Sequence, residues 1–223
     1  PLSKTVRSCE IPSDIVMTID LSGSMNSDGG DPPQPVTDAL LAAKQFVSTL
    51  NSEDKAAVVT FASQAVTVSE LSRSHQSTAD IIGRLTINPV DETGFTNTVA
   101  GIQAAATELS SSRHGSDSRR AVIILTDGLP TAPGDKTMIL EETKIAAKTL
   151  SDSGVEVYAI GLGKGVDSAF ISSLASRPEN TYLAPKVSDL DEIYTQITGS
   201  LCESGATRID VIAKTGANFT PLR

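Results

Sequence analysis

Tryptophan is absent from this sequence, and cysteine, histidine, aromatic and basic side chains are all scarce. Each shortage narrows what the chain does. With three Tyr and five Phe, the core has to be built from Val, Ile, Leu and Ala, and a hydrophobic content of 39% against 20% charged residues is enough for a folded domain. Eighteen Lys and Arg against 27 Asp and Glu leave a net charge of −9, which argues against nucleic acid as a partner, because neutralising phosphates takes clustered basic side chains. The only short basic pair, Arg119 and Arg120, precedes an apolar run and reads as a solvated strand entry. An acidic surface instead favours solubility and attracts cations. No apolar run approaches the roughly 18 residues that a bilayer span requires. The chain opens on Pro1 rather than Met and reads as a piece of something larger, so any leader or anchor would lie outside it.

Two cysteines, Cys9 and Cys202, bracket the stretch with folding signals. Either they form one bridge that closes nearly the whole chain, or they are two unrelated buried thiols. The bridge is the expectation, since the first strand and last helix of an α/β domain can end side by side, and a bridge implies an oxidising compartment.

Strands and helices alternate along most of the sequence. Asp14–Asp20 is a short apolar strand ending in a carboxylate, and it runs into the polar loop 21–31. Val36–Leu50 places Leu40, Leu41, Ala43, Phe46, Val47 and Leu50 at helical spacing, with prolines ahead of it. Lys55–Ala62 and Ala65–Leu71 read as strands separated only by Ser63 and Gln64, and so short a link demands an antiparallel hairpin. A short helix is expected over Thr78–Leu85 and a longer one over Asn97–Leu109. Arg119–Thr126 is the most continuously apolar strand and again ends in a carboxylate, Asp127. A helix over Met138–Ser153, a strand over Val155–Gly161, a short helix over Ser168–Ala175, a strand over Thr181–Ala184 and a helix over Ser188–Cys202 follow. This alternation predicts an α/β fold: a doubly wound, mostly parallel sheet with one antiparallel edge strand and helices on both faces. The domain is expected over residues 1–202. Residues 203–223, with the alternating run Arg208–Ala213, are expected to begin a following segment or neighbouring β domain.

In open α/β sheets the functional crevice lies beyond the carboxyl ends of the strands. Asp20, the loop carrying Ser22 and Ser24, and Asp127 all emerge there, and the loop Thr93–Thr98 supplies a third polar edge at a helix start. Hard oxygen donors with no His or Cys nearby suit Mg²⁺ or Mn²⁺ better than Zn²⁺. A bland reading, with the aspartates as helix caps and the serines as turn residues, gives no reason for all of these to coincide.

Asp20-Leu-Ser22-Gly-Ser24 resembles the Asp-x-Ser-x-Ser signature of the von Willebrand factor A family. Thr96 in Gly-Phe-Thr-Asn-Thr and Asp127 in Leu-Thr-Asp-Gly supply the two other elements of that family's metal-ion-dependent adhesion site, or MIDAS. The resemblance spans Asp14–Leu201. It implies that Asp20, Ser22, Ser24, Thr96 and Asp127 hold Mg²⁺, or Mn²⁺ or Ca²⁺, with one position left for an Asp or Glu of a protein ligand. It implies a matrix, cell-surface or host-receptor partner, an extracellular or cell-surface setting, and no enzyme activity, as in integrin inserted domains. A Cys9–Cys202 bridge would be similar to that of anthrax-toxin-receptor-like modules. The alternative within the family is a scaffold component of an intracellular multiprotein assembly. One departure is the insertion carrying Asn26, Asp28 and Asp31 with the prolines after it, which reads as an acidic surface turn because its spacing is not that of an EF-hand.

Other signals are weaker. Gly161-Leu-Gly163-Lys-Gly165 lacks both the third glycine of a dinucleotide fingerprint and the Lys-Ser/Thr of a nucleotide loop. Ser22 lies outside any Gly-x-Ser-x-Gly elbow, and the only histidines, His75 and His114, fall in polar connectors. The sequon Asn218-Phe-Thr220 matters only in a eukaryotic secretory setting and reads as a chance match.

Overall fold

Three strands whose charges stand only at or near their ends set the centre of the molecule: β1 (Ser13–Asp20), β4 (Arg119–Thr126) and β5 (Glu156–Leu162). Every residue of β1 is buried, as befits a strand covered on both faces. In the computed structural model, which describes residues 11–26, 35–87, 94–184 and 186–203, these strands join β2 (Lys55–Phe61), β3 (Ala65–Ser72) and β6 (Thr181–Ala184) in one sheet of order β3-β2-β1-β4-β5-β6. All neighbouring pairs are parallel except β2 with β3, which is the antiparallel hairpin at one edge.

The two-residue period of the strands sorts side chains onto two faces. Ile15, Met17, Ile19, Ile123 and Leu125 pack against α1 (Pro35–Thr49) and α6 (Leu190–Glu203), where the rings of Phe46 and Tyr194 stack at 4.8 Å. Val16, Val122, Ile124 and Val157 face α3 (Thr98–Leu109), α4 (Lys136–Asp152) and α5 (Ser168–Leu174). α3 lies unusually close to the sheet, because a Cβ on Gly101 would stand 2.8 Å from Phe61 Cδ1 and 3.2 Å from Thr18 Cγ2. That close approach brings the start of α3 to the carboxyl ends of β1 and β2, where Asn97 N–H donates to Ala62 O at 2.8 Å.

The boundaries differ from the sequence expectation in ways the caps explain. α4 begins at Lys136 rather than Met138, since Asp135 Oδ1 accepts from the amides of Thr137 and Met138 and starts the helix ahead of its first apolar residue. α2 (His75–Ile82) starts three residues earlier than the pattern suggests, so His75 opens a helix and is not in a connector; its N-cap, Ser74, makes no side-chain capping bond that would have marked the start. A short 3₁₀ turn, 187–189, precedes α6 and shifts its start to Leu190. Gly163, at φ +94°, makes a turn whose amide donates to Ala184 O, as expected of a glycine-rich connection. Loop residues 27–34 and 88–93, Cys9, the run Arg208–Ala213 and the sequon at Asn218 lie outside the described residues. Among the described residues, no helix is long and apolar enough to cross a membrane.

Candidate metal-ion site

The strand order reverses direction between β1 and β4, and at such a switch point the two loops diverge and leave a crevice. Ile19 pairs with Leu125, so Asp20 and Thr126 end side by side. The loop after Asp20 is pinned from below by its apolar members. Leu21 N–H donates to Phe61 O at 2.8 Å, Met25 is fully buried in the core, and the single 3₁₀ turn Gly23–Asn26 links the two. Leu21 and Met25 thus face down, and the polar Ser22 and Ser24 between them are left to the crevice.

Asp20 is fully buried. Its Oδ1 accepts from Ser22 N–H at 2.8 Å and its Oδ2 from the Thr126 hydroxyl at 2.6 Å. The Ser22 and Ser24 hydroxyls stand 3.1 Å apart, and Ser24 Oγ donates to Asp127 Oδ1 at 2.8 Å. Four of the five residues named from the sequence therefore form one hydrogen-bonded chain from strand β1 to the end of β4. Thr96 reaches the same rim by its backbone: its amide donates to Thr131 Oγ1 at 2.9 Å, and Thr131 N–H donates back to Thr96 O at 3.0 Å. This reciprocal pair fastens the α3 entry loop to the β4–α4 connection.

Burial pushes the Asp20 carboxyl up from 3.8 to about 6, against the lowering effect of hydrogen bonds from Ser22 and Thr126, and the nearby Asp127 charge adds to the rise. Asp127 is also raised, chiefly by burial. Among the described residues neither carboxylate has a Lys, Arg or His partner. Two desolvated acids without a counter-charge, with three hydroxyls beside them or on the same rim, fit a small cation that prefers oxygen donors. Among the described residues no three of His, Cys, Asp and Glu gather as ligands, so a cation here would depend on hydroxyl groups for much of its shell.

Neither histidine stands at this rim to act as a base for serine chemistry. His114 Nδ1 bonds Asp14 Oδ2 at 2.8 Å and His75 Nε2 bonds Asp54 O at 2.9 Å. Both contacts lie at the opposite end of the sheet, six residues down β1 from Asp20, which is roughly 20 Å along a strand.

Thr126, Thr131, Phe95 and Leu129 are the rim residues that sequence reasoning did not single out. Thr126 was legible in principle, because it precedes Asp127 on a strand paired with β1. Phe95 and Leu129 flank Thr96 and Asp127 in sequence, but only the fold shows that they are 43% and 44% exposed.

Known proteins agree with this architecture. The family model described as the von Willebrand factor type A domain matches residues 14–196. Thrombospondin-related anonymous protein of Plasmodium falciparum is 25% identical over 168 residues, covering 73% of this chain and 28% of that protein. Proximal thread matrix protein 1 from the mussel byssus, in a structure described as having a zinc-occupied MIDAS motif, shares the fold with a TM-score of 0.72 at 25% identity, covering 88% of this chain and 47% of that one. The pilus adhesin SpaC from Lactobacillus rhamnosus GG is alike in fold, with a TM-score of 0.71 at 18% identity over 87% of this chain and 31% of its own. The chain thus spans less than half the length of these relatives. With the sheet order, the rim chemistry and the family match in agreement, the chain belongs to the von Willebrand factor type A domain family.

Proposed function

We propose that this domain is a metal-dependent adhesion or protein-recognition module, in which Asp20, Ser22, Ser24, Thr96 and Asp127 hold one divalent cation that a partner's Asp or Glu completes. The observation that carries the reading is the imbalance at the rim: two carboxylates drawn out of water, with no ion-pair partner among the described residues, and hydroxyls in place of further acids. A cation held by few carboxylates keeps an affinity for an outside anion, which is the chemistry it would supply when bound. Ser22 and Ser24 would orient it, and Asp20 would fix the loop through Ser22 N–H and Thr126. Phe95 and Leu129 give the partner apolar surface on both flanking loops, as a recognition site needs around a polar centre.

Mg²⁺ is the proposed ion, with Mn²⁺ or Ca²⁺ as substitutes, and the partner is a matrix, cell-surface or host-receptor protein met in an extracellular setting. A screen of immobilised matrix and cell-surface proteins, run in Mg²⁺, in Zn²⁺ and in chelator, tests this. Binding is expected in Mg²⁺ and at least a tenfold loss in chelator; binding that is indifferent to chelator would refute the proposal.

The module is proposed to occupy residues 1–202, with Glu203 onward leading into a further segment, and to be closed by a Cys9–Cys202 bridge. In support, Cys202 in the last turn of α6 lines one small recess with Ser13, and Ser13 is only four residues from Cys9 in sequence. Closing a loop of this length stabilises by about 5 kcal/mol in the chain-entropy description. Intact mass after alkylation without reductant is expected to be unchanged, whereas addition of two alkyl groups would exclude the bridge and remove the argument for an oxidising compartment.

A further inference from the structure

Beside the candidate ion site is a cleft whose lining the metal chemistry leaves unused. It is an open cavity of about 300 Å³ between the first turns of α3, the β4–α4 connection and α4. The connection contributes Pro130, Ala132 and Pro133, α3 contributes Thr98 and Gln103, and α4 contributes Glu142. The cleft and the ion site share both loops: Thr98 is two residues from Thr96, Pro130 three from Asp127, and the Thr96–Thr131 pair ties the loops together.

Glu142 sets the chemistry. The other acids along α4 have basic partners one turn away, Glu141 with Lys144 and Asp152 with Lys148, but Glu142 is exposed and has no ion pair among the described residues. The helix ends beside it do not supply a free positive field, because Asn97 Oδ1 already accepts from Ala100 N–H and Asp135 Oδ1 from Thr137 and Met138 N–H. The buried Thr98 hydroxyl, on a residue only 1% exposed, has no partner in the structure. Two prolines and an alanine offer a rigid apolar wall of the kind along which the methylene stem of a long basic side chain lies.

We infer that this cleft receives a lysine or arginine side chain of the protein partner, placed a few residues from the acid that completes the cation's shell. The inference rests on the metal-dependent reading above for its setting, and it specifies the partner as carrying an acidic and a basic residue close together. The stem packs on Pro130, Ala132 and Pro133, and the charged head meets Glu142, with Gln103 as a further acceptor. The ion therefore selects the acid and Glu142 selects its basic neighbour.

The cleft is tested without any natural partner by titrating n-butylguanidinium into the ¹⁵N-labelled domain, with butyrate as the anionic counterpart. Saturable amide shifts are expected at Thr98, Gln103, Ala132 and Glu142, with affinity reduced by up to about fivefold in Glu142→Gln, the upper end for an exposed charge pair. Butyrate should give no shifts there. Titration in chelator, which empties the ion site without altering the chain, should leave n-butylguanidinium binding unchanged, so that failure of the cleft and failure of the ion site read out separately. Equal binding by Glu142→Gln, preference for butyrate, or shifts elsewhere would each overturn the assignment. A second arm compares peptides carrying Asp with Arg, or with uncharged citrulline, at each of the next four positions in Mg²⁺. An arginine advantage that Glu142→Gln abolishes is expected, and equal affinity of every arginine and citrulline pair would overturn the inference.

Discussion

Asp20→Asn is expected to make the metal-free domain more stable at pH 7, by about 2–3 kcal/mol, while eliminating its thermal response to Mg²⁺. The gain comes from burial. Asp20 is fully enclosed, and a rise from 3.8 to about 6 corresponds to about 3 kcal/mol of penalty on the charged form. Asparagine keeps the Oδ1 contact with Ser22 N–H. The Thr126 hydroxyl, which now donates to Oδ2, is 3.4 Å from Gly128 O and can turn toward it while accepting from the new amide. The sign of the pH effect follows from the direction of the shift. A group whose folded pKa is raised binds protons more tightly in the folded state, so its favourable contribution is complete below pH 3.8 and is lost as pH rises through about 6. Thermal unfolding in chelator should therefore show the wild type losing stability between pH 4 and pH 6.5, relative to Asp20→Asn. A divalent cation restores what ionisation costs, by about 2.7 kcal/mol at one hundred times its dissociation constant. A variant less stable than wild type in chelator at pH 7, or one still stabilised by Mg²⁺, would remove Asp20 from the role given to it.

The sheet was legible because its signals are local. Val122–Leu125 and Ile15–Ile19 are apolar on both faces, which only a covered strand tolerates, and the short link after Phe61 forces the hairpin. Helix starts were less legible where the cap stands ahead of the apolar pattern, as Asp135 does for α4, or where a cap bond is missing, as at Ser74. The site was readable as three separate polar loops, but two of its properties belong to the fold alone. The downward anchoring of Leu21 and Met25 depends on Phe61 O and the core beneath, and the exposure of Phe95 and Leu129 depends on which way each loop turns. Glu142 was hidden for a similar reason. In sequence it is one of two adjacent helical acids, and only the structure shows which of them is paired and which lines the cleft.

Glu108 provides the opposite case to Asp20, and its loss should be the more damaging to the fold. The register shift between Ala56 and Val58 breaks the β2–β3 ladder near Leu71. Glu108, 3% exposed near the end of α3, supplies the acceptor: its Oε1 takes Leu71 N–H at 2.7 Å and Arg113 Nε at 2.9 Å, and its Oε2 takes Arg113 Nη2 at 2.7 Å. Glu108→Ala leaves the buried Leu71 amide without an acceptor and is expected to cost about 2 kcal/mol in urea unfolding at pH 7, the range for an unsatisfied buried donor, while Arg113 stays solvated and keeps Glu70. Glu108→Gln, which keeps one acceptor, should cost about half as much. The Arg113 hydrogen bond holds this carboxyl below its ordinary 4.5, so its contribution is complete above that value and fades as pH falls below it. The deficit of Glu108→Gln should accordingly shrink at pH 3, and a loss under 1 kcal/mol for Glu108→Ala at pH 7 would contradict the account. Both Glu108 and Asp20 are enclosed carboxylates, yet their pH responses run in opposite directions. The difference is the counter-charge: the chain supplies Arg113 to one and, among the described residues, nothing to the other. That missing charge is the physical reason to expect a cation from solution at the rim.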